Sequence, residues 1–196
     1  MSSSEIYGLV LAGGQSRRMG RDKALLLRDG QSQLAYIVDL LSQVTDRVFV
    51  SARSDQRDEA QRSQFEQIID RYDDIGPIAG ILSAMAEYPE VDWLIVACDL
   101  PNIDEPTLRF LLDNRSLEQP FTAFKSTHDG LPEPMCALYR TGSHAIVRRF
   151  VDDGIVCPRK ILIRSDTHIL EQPNPRSLDN INTPDDLAGS ILEAAS

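Results

Sequence analysis

The sequence predicts an α/β domain built on a layered, mostly parallel sheet, and three observations lead there. Apolar runs of strand length recur along the chain with helical patterns between them, an alternation that gives a layered sheet rather than a helix bundle or a sandwich. One run, Trp93 to Ala97, is apolar almost without interruption, as a central parallel strand buried on both faces must be. The first run, Tyr7 to Ala12, empties into a glycine pair, and open α/β sheets bind ligands beyond the carboxyl ends of their strands.

The elements follow in order. Tyr7 to Ala12 is the first strand; Leu34, Ile37, Val38, Leu41 and Val44 keep helical spacing, and Val48 to Ala52 is the second strand. The polar stretch after it reads as helical, and Gln67 to Asp70 as a short third strand. Pro77 opens a helix that runs to Tyr88 with Ile78, Ile81, Leu82 and Met85 on one face. After the Trp93 strand come a helix from Glu105 to Asn114 and strands at Phe121 to Lys125 and Met135 to Tyr139. A helix over Gly142 to Asp152, a short helix or strand at Lys160 to Arg164, a strand at His168 to Glu171 and a final helix from Pro184 to Glu193 complete the pattern. No repeat, low-complexity tract or linker divides residues 1–196, a length that suits one domain of roughly 100–200 residues.

Composition narrows the function classes. The chain is 42% hydrophobic and 26% charged, and no apolar run approaches the roughly 18 residues of a membrane helix. The stretch MSSSEIYGLVLAGG lacks the basic start and apolar core of a secretion signal, which points to a cytoplasmic protein. A net charge of −10 argues against a nucleic-acid or anionic-membrane surface. Cys98, Cys136 and Cys157 stand far apart with no zinc-site spacing, and they read as reduced, mostly buried small hydrophobes.

Against that acidic background, residues 9–26, LVLAGGQSRRMGRDKALL, gather Arg17, Arg18, Arg21 and Lys23 just after Gly13 and Gly14. Glycines let a loop pass close to a ligand and aim backbone N–H groups at phosphate oxygens. Arginine adds paired hydrogen bonds and lysine a point charge, so a small polyanion fits this loop. The Walker pattern GxxxxGK[ST] and the dinucleotide pattern GxGxxG are both missing, which speaks against a dinucleotide-dependent oxidoreductase.

LAGGQSRRMGRDKALL resembles the LAGGxSxRMGxDKxLL signature of the nucleotidyltransferases, and within them most closely that of the molybdenum cofactor guanylyltransferases. IGPIAGILSAM at 75–85, VACDLPNI at 96–103 and LDNINTPDDL at 178–187 agree in the same order. The resemblance implies a Rossmann-like, three-layer nucleotidyltransferase fold of the nucleotide-diphospho-sugar transferase type. It also implies transfer of GMP from GTP to the phosphate of molybdopterin or molybdenum cofactor, with pyrophosphate released. Mg²⁺ is the implied cofactor, and transient contact with molybdenum-inserting or molybdoenzyme maturation proteins is an implied partnership.

Carried onto this chain, the resemblance gives Arg17, Arg21, Lys23 and Asp99 catalytic roles, with Asp99 as the metal ligand. The backbone of Leu11, Ala12, Gly13 and Gly14, together with Lys23, Ser51, Asp70, Gly80, Asp99, Asn180 and Asn182, would bind the nucleotide and metal. An Asp at a strand end is also an ordinary helix cap, and Asp73 and Asp74 read as caps for the Pro77 helix, as does Thr183 for the last one. Gly80 has a packing alternative. Where the guanylyltransferases carry an Asn-rich turn after the second strand, this chain has Ser51-Ala52-Arg53, which leaves base choice open. Leu131 to Met135 resembles the acceptor-facing segment, with Arg140 and His128 as candidate polar groups, and His144 and His168 read as structural or solvated. Cytidylyl transfer, another phosphate acceptor, and a nucleotide-binding module without turnover remain alternatives.

Overall fold

The computed structural model describes residues 4–13, 22–181, 185–186 and 190–192. Its elements are β1 (Ile6–Leu11), β2 (Leu27–Arg28), β3 (Gln31–Ser32), α1 (Gln33–Ser42), β4 (Arg47–Ala52), β5 (Gln67–Ile69) and α2 (Ile78–Glu87). They continue with β6 (Asp92–Ala97), α3 (Glu105–Asp113), β7 (Phe121–Lys125), β8 (Pro132–Tyr139), α4 (His144–Asp152), α5 (Pro158–Ile163) and β9 (Thr167–Leu170).

The main sheet runs β5-β4-β1-β6-β8-β7-β9. β8 is antiparallel to both of its neighbours, and the other pairings are parallel. The chain leaves β1 for β4 on one side and later returns to β6 on the other, so the order reverses at β1. That reversal opens a crevice at the carboxyl ends of the strands. Leu11 pairs with Ser51 of β4 and with Ala97 of β6, which brings the residues after each strand to one edge.

Alternation along the strands divides the core into two layers. Val10, Leu94 and Val96 pack with Leu34, Ile37 and Leu41 of α1 and with Leu108 and Leu111 of α3. Leu9, Trp93 and Ile95 pack on the other face with Ile78, Ile81 and Leu82 of α2, Val147 of α4 and Ile161 of α5. Every residue of β6 is buried, as its unbroken apolar run requires. The fold is the three-layer α/β arrangement with a mostly parallel sheet that the sequence predicts.

Several local expectations change. The stretch after β4 forms no α-helix; it makes two short 3₁₀ turns, Ser54–Gln56 and Arg62–Gln64. Its polar residues present no apolar stripe to bury, so nothing holds a longer helix against the sheet. Pro77 is the N-cap of α2 rather than its first helical residue, and neither Asp73 nor Asp74 caps it. Asp74 instead turns the chain with φ 58°, followed by Gly76 at φ 71°. β8 begins at Pro132, and Lys160 lies in the helix α5.

The hairpin of β2 and β3 is an addition to the sequence reading. Asp29 and Gly30 form its turn at φ 51° and 83°, the left-handed pair that a two-residue hairpin demands. The expected helix over 184–193 lies largely outside the described residues; 185–186 are helical. Among the described residues no helix is long and apolar enough to cross a membrane.

Leu94, fully buried on the α1 and α3 side, tests this packing. Leu94→Ala is expected to lower the unfolding free energy by about 2–5 kcal/mol in urea denaturation while the transition stays cooperative. A loss within about 0.5 kcal/mol, the range of surface substitutions, would place Leu94 outside the core.

Candidate active site

The carboxyl edge of β1, β4, β5 and β6 opens on a cavity of about 830 Å³. Leu11, Ala12, Gly13, Lys23, Ser51, Asp70, Gly80 and Asp99 all line it, so the fold gathers most of the residues singled out in the sequence. Gly14, Arg17, Arg21 and Asn182 lie outside the described residues.

The ladder continues past the strand ends. Ala12 N–H donates to the Ser51 carbonyl and Cys98 N–H to the Leu11 carbonyl, both at 3.3 Å. Gly13 then passes beside Asp70: a Cβ on it would stand 3.3 Å from Asp70 Oδ2, so any larger residue presses on that carboxylate. Arg53 Nη1 donates to the Gly13 carbonyl at 2.5 Å, and its Nε and Nη2 hold Asp55. Arg53, which stands where the guanylyltransferases carry an Asn-rich turn, therefore grips the backbone of Gly13.

A residue that the sequence reading did not single out grips the same loop. Arg62 is wholly buried. Its Nε and Nη2 donate to the Ala12 carbonyl at 3.2 and 2.6 Å, Nη2 pairs with Asp22 Oδ2 at 2.7 Å, and Nη1 with Glu59 Oε2 at 3.1 Å. The available signal was Glu59 three residues before an arginine, which in a polar stretch looks like any solvated pair.

On the far side of the loop, Asp22 caps the short turn Lys23–Leu25 by accepting from Ala24 N–H at 3.1 Å. That turn carries Lys23, whose ammonium sits 3.7 Å from Asp99 Oδ2, with both side chains mostly buried. Asp99 Oδ1 is buried and finds no hydrogen-bond partner among the described residues. Burial pushes the Asp99 carboxyl above the usual carboxylate range, while Lys23 pulls it back down. The backbone around Asp99 is fixed from several directions. Ile181 N–H donates to the Asp99 carbonyl at 2.9 Å, Gln33 Nε2 to the Leu100 carbonyl at 3.0 Å, and Arg28 Nη1 to the Pro101 carbonyl.

A buried carboxylate oxygen with an open lone pair beside the cavity is suited to a hard cation. Among the described residues no group of three or more His, Cys, Asp or Glu side chains is placed to hold a metal. That donor set fits Mg²⁺, which takes one or two carboxylates and completes its shell with waters and substrate phosphate oxygens.

Ser51, Asp70 and Gly80 form the other wall. Ser51 Oγ donates to Asp70 Oδ1 at 2.8 Å. A Cβ on Gly80 would fall 2.1 Å from Ser51 Oγ and 3.2 Å from Asp70 Oδ1, so Gly80 is needed for α2 to close on β4. The packing explanation of Gly80 holds, and the wall it forms is part of the cavity. Asp73 and Asp74 line the cavity as well. Burial raises the Asp70 carboxyl to about 6, opposed by the Ser51 hydrogen bond and by Arg53.

The remaining candidates are more distant. Asn180 is exposed and does not line the cavity, although the next residue, Ile181, contacts the Asp99 backbone. Met135 lines the cavity, and Glu133 is held with Asp129 by Arg159. His128 lies 3.7 Å from Asp179 at the surface, and Arg140 turns to the Leu117 carbonyl, so neither faces the cavity. His144 and His168 do not line it either. Cys98 and Cys136 are buried free thiols, the latter pushed up to about 12 by burial, whereas Cys157 is exposed.

Comparison with known proteins identifies the family. The family described as the MobA-like NTP transferase domain matches residues 8–168. A molybdenum cofactor biosynthesis bifunctional protein from Synechocystis is 37% identical over 186 residues, covering 95% of this chain and 54% of that one. The chain thus spans about half the length of that relative. A probable molybdenum cofactor guanylyltransferase from Nostoc is 30% identical over 94% of this chain and 90% of its own length. The crystal structure of molybdopterin-guanine dinucleotide biosynthesis protein A from Archaeoglobus fulgidus superposes with a TM-score of 0.75 at 25% identity, covering 93% of this chain and 95% of that one.

The raised Asp70 carboxyl makes stability depend on pH. Between the ordinary value of 3.8 and about 6 the native state binds more protons at this site than the unfolded chain, so Asp70 lowers stability as pH rises through that window. Asp70→Asn removes this contribution. In urea unfolding from about pH 4 to pH 7, the variant is expected to gain on the wild type up to about pH 6 and then run level. A stability difference that stays flat across the window would contradict the burial of this carboxylate.

Proposed function

Since the chain belongs to the MobA-like NTP transferase family, we propose that it transfers GMP from GTP to the terminal phosphate of molybdopterin, or of its molybdenum-loaded form. An acceptor phosphate oxygen forms a bond to the α-phosphorus, the bond from that phosphorus to the β-phosphate oxygen breaks, and pyrophosphate leaves with the electron pair. Such chemistry depends on position and charge rather than on a protein nucleophile.

The observation that supports this reading is the placement of Asp99 Oδ1, buried and unpartnered among the described residues, beside Lys23 and at the strand edge that also presents Gly13. Asp99 would hold Mg²⁺. When bound, the ion would neutralise phosphate charge and act as a Lewis acid toward the triphosphate. Lys23 is close enough to bind a phosphate drawn toward Asp99 and to offset the negative charge that grows as pyrophosphate leaves. Backbone N–H groups of the glycine loop bind the triphosphate, with Arg17 and Arg21 assigned to it on sequence likeness. Asp70 and the small face of Gly80 form the nucleoside wall, and the carboxylates at this end match the N–H donors of a guanine edge.

A pyrophosphate-release assay with molybdopterin and Mg²⁺ tests the proposal across GTP, CTP, ATP and UTP. GTP is expected to be turned over at least about tenfold better than the others, a margin that a few base hydrogen bonds can supply. Asp99→Asn and Lys23→Ala are each expected to cut kcat by about 100-fold or more while unfolding midpoints stay near the wild type. A preference for CTP would move the assignment to cytidylyl transfer. Mg-dependent nucleotide binding without pyrophosphate release would make the protein a non-catalytic nucleotide-binding module.

A further inference from the structure

Arg62 is wholly buried, and no step of the chemistry above uses it. A guanidinium taken out of water is costly unless its donors and its charge are answered, and here both are. Its fork spans the Ala12 carbonyl, reached at 2.6 and 3.2 Å, and Asp22 Oδ2 at 2.7 Å, with Glu59 at 3.1 Å behind it. Ala12 lies at the entry of the cation-rich loop and Asp22 at its exit, so one side chain ties the two described ends of that loop together.

Two consequences follow from this geometry. In a trans peptide the Gly13 N–H points away from the Ala12 carbonyl, so a held carbonyl also fixes the direction of that N–H. At the exit, Asp22 accepts from Ala24 N–H with its other oxygen at 3.1 Å, which sets the turn that carries Lys23 to within 3.7 Å of Asp99. Arg62 faces two carboxylates, so its charge is neutralised locally and its contribution to the cavity is geometric.

Building on the nucleotidyl-transfer reading, we infer that Arg62 is a positioning residue of the triphosphate site, acting through Ala12 on the Gly13 amide and through Asp22 on Lys23. Lysine cannot replace it, because a single ammonium lacks the planar fork that reaches both ends at once.

The test uses Arg62→Lys, with Asp22→Asn as a second variant that opens the same bridge from its more exposed end. In the ligand-free protein, amide hydrogen exchange at Ala24, Leu25 and Leu26 is expected to quicken by about tenfold or more in both variants while the amides of β6 exchange as in the wild type. In the transfer assay, KM for GTP is expected to rise by about tenfold and KM for molybdopterin to move less than about twofold. Unchanged exchange at residues 24–26 would overturn the inference, as would exchange that quickens equally in β6, which marks general destabilisation. An equal rise in both KM values would overturn it too. If the wild type turns over no nucleotide, the functional reading fails on that result, and the exchange measurement still decides whether Arg62 holds the two loop ends.

Discussion

The site depends on the position of β1 between two parallel neighbours. Because Leu11 pairs with both Ser51 and Ala97, three strands end at one level and release their next residues into the same crevice. Gly13 then meets Asp70 and Arg53 on one side, while Asp99 follows β6 on the other. A slip of one residue in either pairing would turn the buried strands inside out and separate these groups. The chemistry is therefore held by the least polar part of the molecule.

Charge is arranged in depth around that edge. The chain is strongly acidic overall, yet Lys23 and Arg53 line the cavity and the buried Arg62 is matched by carboxylates beside it. Arg62 is spent on the loop backbone, Arg53 on Gly13 and Asp55, and Lys23 approaches Asp99. An excess of carboxylates elsewhere discourages binding of larger polyanions while leaving a confined site for a small one. Asp99 is the point where this matching is incomplete: one oxygen faces Lys23 at a distance and the other is buried without a partner among the described residues. Buried orphan oxygens are rare in folded proteins and call for a ligand or a function.

Much of this was legible in the sequence wherever periodicity or burial is strong. The unbroken run from Trp93 to Ala97 marks a strand covered on both faces, and Asp99 stands out because it follows such a run. Gly80 could be placed at a helix start, but whether packing or ligand contact required it was decided only by Ser51, which is far from it in sequence. The hairpin over 27–32 is too short to show a period, and its signal lies in Asp29-Gly30 alone. Arg62 was hidden for a different reason. Nothing local distinguishes an arginine that will be buried from one that stays in water, because its partners at Ala12 and Asp22 become neighbours only after the sheet forms.

The most direct measurement follows the α-phosphorus itself. With GTP labelled at that atom, molybdopterin and Mg²⁺, mass spectrometry is expected to find the label joined to the acceptor as a guanine dinucleotide, with unlabelled pyrophosphate released in equal amount. Label retained in GDP, with free phosphate as the other product, would mean that the γ-phosphoryl bond breaks instead and would contradict nucleotidyl transfer at this site.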